Sequence, residues 1–156
     1  MSIRHKAGTI AGSMAVLSLA LTGLSGIANA QTESFNQKVA GDATSFVGKV
    51  PYVYGGSSPS TGFDCSGLTS YVYGHFGKSI PRTAEAQFER FRRISKSQAW
   101  GGDLVFFHEN SSPNSYVYHV AVYEGNGRIV SASTPSEGIV REKIYSSDVT
   151  FGTVTH

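Results

Sequence analysis

Apolar residues recur at helical spacing in the first half of the chain and in short β-type runs in the second. Phe35, Val39, Ala43, Phe46 and Val47 share one face and predict an amphipathic helix ending near Gly48. Residues 55–62, Gly-Gly-Ser-Ser-Pro-Ser-Thr-Gly, are dense in turn formers and predict a loop. A second helix is expected from Cys65 to Tyr73, with Asp64 in the N-cap position and Gly74 and Gly77 available to stop it. A third covers Thr83 to Phe91, after Pro81. The period then changes. Asp103–Phe107, Tyr116–Tyr123, Arg128–Ser133, Gly138–Ile144 and Phe151–Val154 are short runs rich in Val, Ile, Tyr and Phe, which predict strands. Glu124-Gly125-Asn126-Gly127 supplies a hairpin turn between the second and third of these. Helices followed by an antiparallel meander make an α+β domain.

The first thirty residues follow a different logic. Arg4, His5 and Lys6 precede an apolar, small-residue stretch that includes Met14–Leu21 and closes on Ala28-Asn29-Ala30. That is the pattern of a secretory signal peptide cleaved before Gln31, so the expected product is extracytoplasmic. The apolar stretch is broken by Ser, Thr and Gly, and no cysteine follows it for lipid attachment, so no stable membrane anchor is expected. Residues 31–34 are read as a short disordered leader, and residues 31–156 as one domain, expected to be monomeric.

Composition narrows the function. Arg4 and Lys6 fall in the signal segment and no acidic residue does, so 11 basic residues face 11 acidic ones in the remainder. A neutral domain gives no electrostatic case for nucleic acid. Arg90, Arg92, Arg93 and Lys96 are read as a solvated helix face. No metal-ligand cluster, phosphate loop or dinucleotide fingerprint is present, so no cofactor is expected.

The single cysteine, Cys65, cannot form a disulfide within the chain. It is either a buried small hydrophobe or a reactive thiol. Its place at a helix N-terminus, where unpaired N–H groups and the macrodipole favour a thiolate, argues for reactivity and for a lowered thiol pKa. A nucleophile of this kind needs a base. His75 lies ten residues along the same helix and cannot reach, and His156 is terminal and expected to fray. His108 is a further candidate. His119 lies in the apolar run Tyr118-His119-Val120-Ala121-Val122-Tyr123, where a polar side chain needs a reason, and it is the best partner.

Five segments in order carry a family resemblance: Pro51-Tyr52-Val53-Tyr54-Gly55-Gly56, Phe63-Asp64-Cys65-Ser66-Gly67-Leu68, Pro81-Arg82-Thr83-Ala84, Gly101–Phe107 and His119–Gly127. Together they resemble the successive motifs of the NlpC/P60 family, from about residue 40 to 145. The resemblance implies a papain-like fold, with the nucleophile at a helix N-terminus packed on an antiparallel sheet that carries the base. It implies a thiol protease, a cysteine endopeptidase acting on peptidoglycan stem peptides, often at the bond between D-glutamate and a diamino acid. Cys65 would be the nucleophile and His119 the base. Asp64, Tyr52 and Ser66 would face the substrate, Asp64 at a position linked to the positive amino end of the stem peptide. Arg82 and Asp103 are read as structural.

One residue departs from the pattern. The family's third catalytic residue, usually His, stands twelve positions after the base, and here that position is Ser131. The hairpin brings Ser131 within a residue or two of facing His119. A serine hydroxyl can orient the imidazole, though it is short and uncharged. Three outcomes stay open: a peptidase with a weaker orienter, a pseudoenzyme that binds wall peptides, or another acyl transfer on the same scaffold.

Overall fold

The structure is a computed structural model that describes residues 19–156. Met1–Ser18, which hold the basic residues and most of the apolar stretch of the expected signal segment, lie outside the described residues. The chain divides into two compact units, residues 1–31 and 32–156. No helix among the described residues is long and apolar enough to cross a membrane.

The first helix, α1, runs Leu19–Ser45. Residues 31–34 are therefore helical rather than a disordered leader: Gln31-Thr32-Glu33-Ser34 contains neither Gly nor Pro to stop the helix. The helix ends ahead of Gly48, as its apolar spacing required, and Gly48 turns the chain at φ 69°. Val39 and Ala43 are fully buried. Two short strands, β1 (Ser57–Ser58) and β2 (Gly62–Phe63), pair within the turn-rich loop. Helix α2 spans Cys65–His75 and α3 spans Ala84–Arg90, capped by Asp64 and Thr83.

The remaining strands form one antiparallel sheet. They are β3 (Arg92–Ile94), β4 (Leu104–His108), β5 (Val117–Gly125), β6 (Arg128–Ala132), β7 (Ile139–Lys143) and β8 (Val149–Thr153), ordered β3-β8-β4-β5-β6-β7. All five expected strands are present. The expected helix face at Arg90–Lys96 is corrected. Phe91 is already extended, Arg92–Ile94 form an edge strand against β8, and the Arg93 guanidinium lies 4.2 Å from the Phe88 ring centroid. An edge strand has a solvated backbone, so its residues need not alternate, and the basic run concealed it.

Each face of the sheet has its own cluster. Val120, Val122 and Val130 pack with Leu68, Val72, Tyr73 and Phe88 of the helices. Val105, Phe107, Ala121, Tyr123, Ile129 and Phe151 form the other cluster. Gly125 pairs with Arg128 across the two-residue turn Asn126-Gly127, whose φ values are 53° and 72°. Both are left-handed, which matches the twist of the flanking strands.

Candidate active site

Cys65 is the first residue of α2, and the loop before it is held against the first helical turn. The Asp64 N–H donates to the Gly56 carbonyl, and a methyl group added at Gly67 would run into that same carbonyl oxygen. Only glycine at 67 permits this approach. Asp64 accepts five hydrogen bonds. Its Oδ1 takes the Gly67 N–H at 2.6 Å, Arg82 Nη1 at 2.9 Å and the Ser66 hydroxyl at 3.4 Å. Its Oδ2 takes the Gly55 N–H at 3.0 Å and Arg82 Nη2 at 2.8 Å. The Asp64–Arg82 pair is bidentate, and Arg82 also reaches the Ser66 hydroxyl and the Gly56 carbonyl. Arg82 therefore ties helix cap, glycine loop and nucleophile together, a structural role as expected.

The sulfur meets the sheet where β5 and β6 separate. Their ladder ends at Val122–Val130. The Tyr123 N–H points to β4, donating to Asp103 at 2.7 Å, so by alternation the Val120 N–H faces the opposite, open edge. There it faces the Cys65 sulfur and favours its thiolate. Burial pushes the Cys65 thiol above its ordinary range, and the Asp64 charge adds to this. The N–H groups of Val120 and Ser66 and the Ser66 hydroxyl oppose the rise without cancelling it. The lowered pKa expected from the helix N-terminus is thus reversed, because desolvation of the thiolate outweighs it.

His119 adjoins Val120 on β5 and is 9% exposed. Its ring packs on Phe107 at 5.3 Å and lies nearly parallel to Tyr118 at 6.4 Å. Burial lowers its pKa to about 4, with no charged group among the causes. Imidazole and thiol are therefore both neutral near pH 7. Ser131 is fully buried on β6, one residue past the end of the β5–β6 ladder at Val122–Val130. Its hydroxyl donates to Glu142 Oε1 at 3.2 Å, not to His119.

A cleft of about 610 Å³ opens over the sulfur. Tyr52, Tyr54, Asp64, Cys65, Ser66 and Arg82 form one side, and Glu85 and Tyr116–Tyr118 the other. Tyr52 bridges to Phe63, and burial, then the nearby Cys65 and Asp64, raises its phenol pKa. The cleft brings together the expected Cys65, Asp64, Tyr52 and Ser66; His119 does not line it, and its ring lies 6.4 Å from that of the lining residue Tyr118. Sequence reasoning missed Glu85, whose carboxylate accepts the Val117 N–H at 2.8 Å, and Tyr145, stacked on Phe107 at 4.7 Å. The motif order shows neither, because Glu85 reaches β5 only through tertiary packing and Tyr145 follows the last motif.

The other histidines among the described residues have settled places. His75 pairs with Asp42 at the surface. His108 is buried between the Ser115 carbonyl and the Thr150 hydroxyl. His156 is not frayed: it stacks on Trp100 at 4.1 Å and meets Asp103 at 3.0 Å. Asp103 is fully buried and also accepts from Asn36 and the Trp100 N–H, so its role is structural. No group of three or more His, Cys, Asp or Glu able to hold a metal occurs among the described residues.

The NlpC/P60 family matches residues 48–154. The "Probable endopeptidase p60" of Listeria welshimeri is 44% identical over 106 residues, 68% of this chain and 19% of that protein. The "Bifunctional muramidase/DL-endopeptidase CwlT" of Bacillus subtilis is 40% identical over 99 residues, 64% of this chain and 30% of that protein. The chain thus spans less than a third of these relatives' length. The peptidoglycan hydrolase RipB of Mycobacterium tuberculosis superposes with a TM-score of 0.70 at 30% identity, covering 86% of this chain and 72% of that one.

Proposed function

This chain belongs to the NlpC/P60 family, and on that premise we propose that it is an exported cysteine endopeptidase that hydrolyses amide bonds in peptidoglycan stem peptides, of the D-glutamyl–diamino acid type. The observation that carries the reading is the seat of Cys65, at the head of α2, facing the cleft and touching β5 one residue from His119. The names of the relatives, endopeptidases and peptidoglycan hydrolases, agree with it.

The chemistry begins from a neutral pair. His119 takes the thiol proton as the sulfur attacks the amide carbon, and the C–S bond forms as the carbonyl becomes an oxyanion. The Cys65 N–H and the Tyr52 hydroxyl are the donors available to that oxygen. His119 then protonates the departing amine, which leaves a thioester. It next takes a proton from water, whose oxygen replaces sulfur at the carbon, and the proton returns to Cys65. Asp64 is saturated by its own donors, so its main service is to fix the loop and helix cap around the nucleophile.

Digestion of purified peptidoglycan, with fragments identified by mass spectrometry, tests the reading. New amine and carboxylate ends in the stem peptide, absent with Cys65→Ala, are expected. Cleavage that survives Cys65→Ala overturns the mechanism. A second reading, a wall-peptide-binding domain without turnover, is favoured by the Ser131 hydroxyl turning to Glu142 rather than His119. Peptide binding without new ends would establish it.

A further inference from the structure

Ser131 is a poor orienter by itself, yet it is not by itself. A hydroxyl has one proton and two lone pairs. The proton of Ser131 goes to Glu142 Oε1 at 3.2 Å, which leaves the lone pairs free to accept from a ring N–H. The strand register gives these residues one direction. His119, Ala121 and Tyr123 share a face of β5, Tyr123 pairs with Ile129, Ile129 pairs with Glu142, and Ser131 lies two residues from Ile129, so all of them stand on one face of the sheet. Ser131 and Glu142 are thus diagonal neighbours across β6 and β7, and His119 stands on the same face of β5. Among the residues of β5, β6 and β7 on this face, Glu142 is the sole carboxylate. The ring neighbours of His119, Phe107 and Tyr118, provide no charge.

We propose that Glu142 is a positioning residue for His119, acting through Ser131: the His119 ring N–H donates to the Ser131 oxygen while the Ser131 hydroxyl donates to the Glu142 carboxylate. The inference rests on the hydrolase reading above. It divides between two residues what one longer polar side chain does elsewhere in the family. No proton moves along the chain. The proton taken from Cys65 stays on His119 until it passes to the leaving amine, and the two hydrogen bonds behind it shorten as the imidazolium forms. The arrangement acts on the step that creates a buried cation, where a distant anion works through a low-dielectric path.

Steady-state kinetics on a defined stem peptide, for the whole chain and for Glu142→Gln, Ser131→Ala and the double variant, tests this. Gln keeps an acceptor for the Ser131 hydroxyl and removes only the charge. Glu142→Gln should lower kcat by about tenfold, the scale of a lost charge-assisted hydrogen bond, with KM within about twofold of the parent. The double variant should be no slower than the slower single variant, because both changes cut one path. Ser131→Thr, which keeps the hydroxyl, should retain most of the parent rate. A Glu142→Gln kcat within twofold of the parent, or single losses that multiply in the double variant, overturns the proposal. Iodoacetamide alkylation of Cys65 at pH 7, which His119 assists by taking the thiol proton, separates this inference from its premise. Alkylation slowed by Glu142→Gln in a protein that cleaves no wall peptide rejects the hydrolase reading and keeps this one. Unchanged turnover in Glu142→Gln rejects this one and keeps the hydrolase.

Discussion

Lowering the pH should destabilise this domain through His119 in particular, and the size of the effect follows from where the ring sits. In the unfolded chain an imidazole binds its proton near pH 6.5; in the fold, burial delays this to about 4. The unfolded state therefore holds more protons throughout that window. The contribution is fully present above pH 6.5 and is lost as the pH falls toward 4. Between pH 7 and 5 the linkage relation gives a loss of about 2 kcal/mol. For a unit of this size that corresponds to roughly 5–9 °C in Tm. Other groups also take up protons in acid, so the difference between parent and His119→Gln isolates the histidine. The assay is thermal unfolding by circular dichroism at pH 7, 6 and 5. The parent should lose about 5–9 °C more than His119→Gln over this range. Equal pH dependence in the two proteins would refute the reasoning and mean that the ring takes up its proton in the fold at the same pH as in the unfolded chain.

Two more outcomes follow from the site. Alkylation of Cys65 in the native state should rise with pH through and beyond the ordinary thiol range, with less than the ~3% thiolate of a free cysteine at pH 7; a plateau reached below pH 7, read by mass spectrometry, contradicts this. Arg82→Lys should cut kcat/KM on a stem peptide by on the order of tenfold and lower Tm by several degrees, because a lysine cannot span both oxygens of Asp64 and still reach Ser66 and Gly56. Parent-like kinetics in that variant would show that the glycine loop holds its shape without the fork.

Elements with a strong local signal were legible in the sequence. Asp64 before an apolar helical run marks the start of α2, and Asn126-Gly127 between two Val- and Ile-rich runs marks the β5–β6 turn. The family motifs then pointed to Cys65 and His119. What local pattern could not supply was burial. At Cys65, backbone N–H groups and desolvation act in opposite directions, and only the packed structure shows that desolvation wins. Nor could it supply long-range partners. The Asp103 network draws Asn36, Trp100 and His156 together from distant parts of the chain, so a terminal histidine that looked free is held. Glu142 was missed for the same reason: its meaning appears only once β7 is registered against β6.

The thiol's burial also bears on chemical durability. Peroxide and disulfide exchange both act on the thiolate, and oxidation beyond the first step is irreversible for most cysteines. A nucleophile that stays protonated until substrate is in place offers oxidants little to attack between turnovers. With one cysteine in the chain, no internal partner exists to rescue a sulfenic acid as a disulfide. Resistance to the first oxidation then protects the sulfur, and the cost is a reaction that must extract its proton at every cycle.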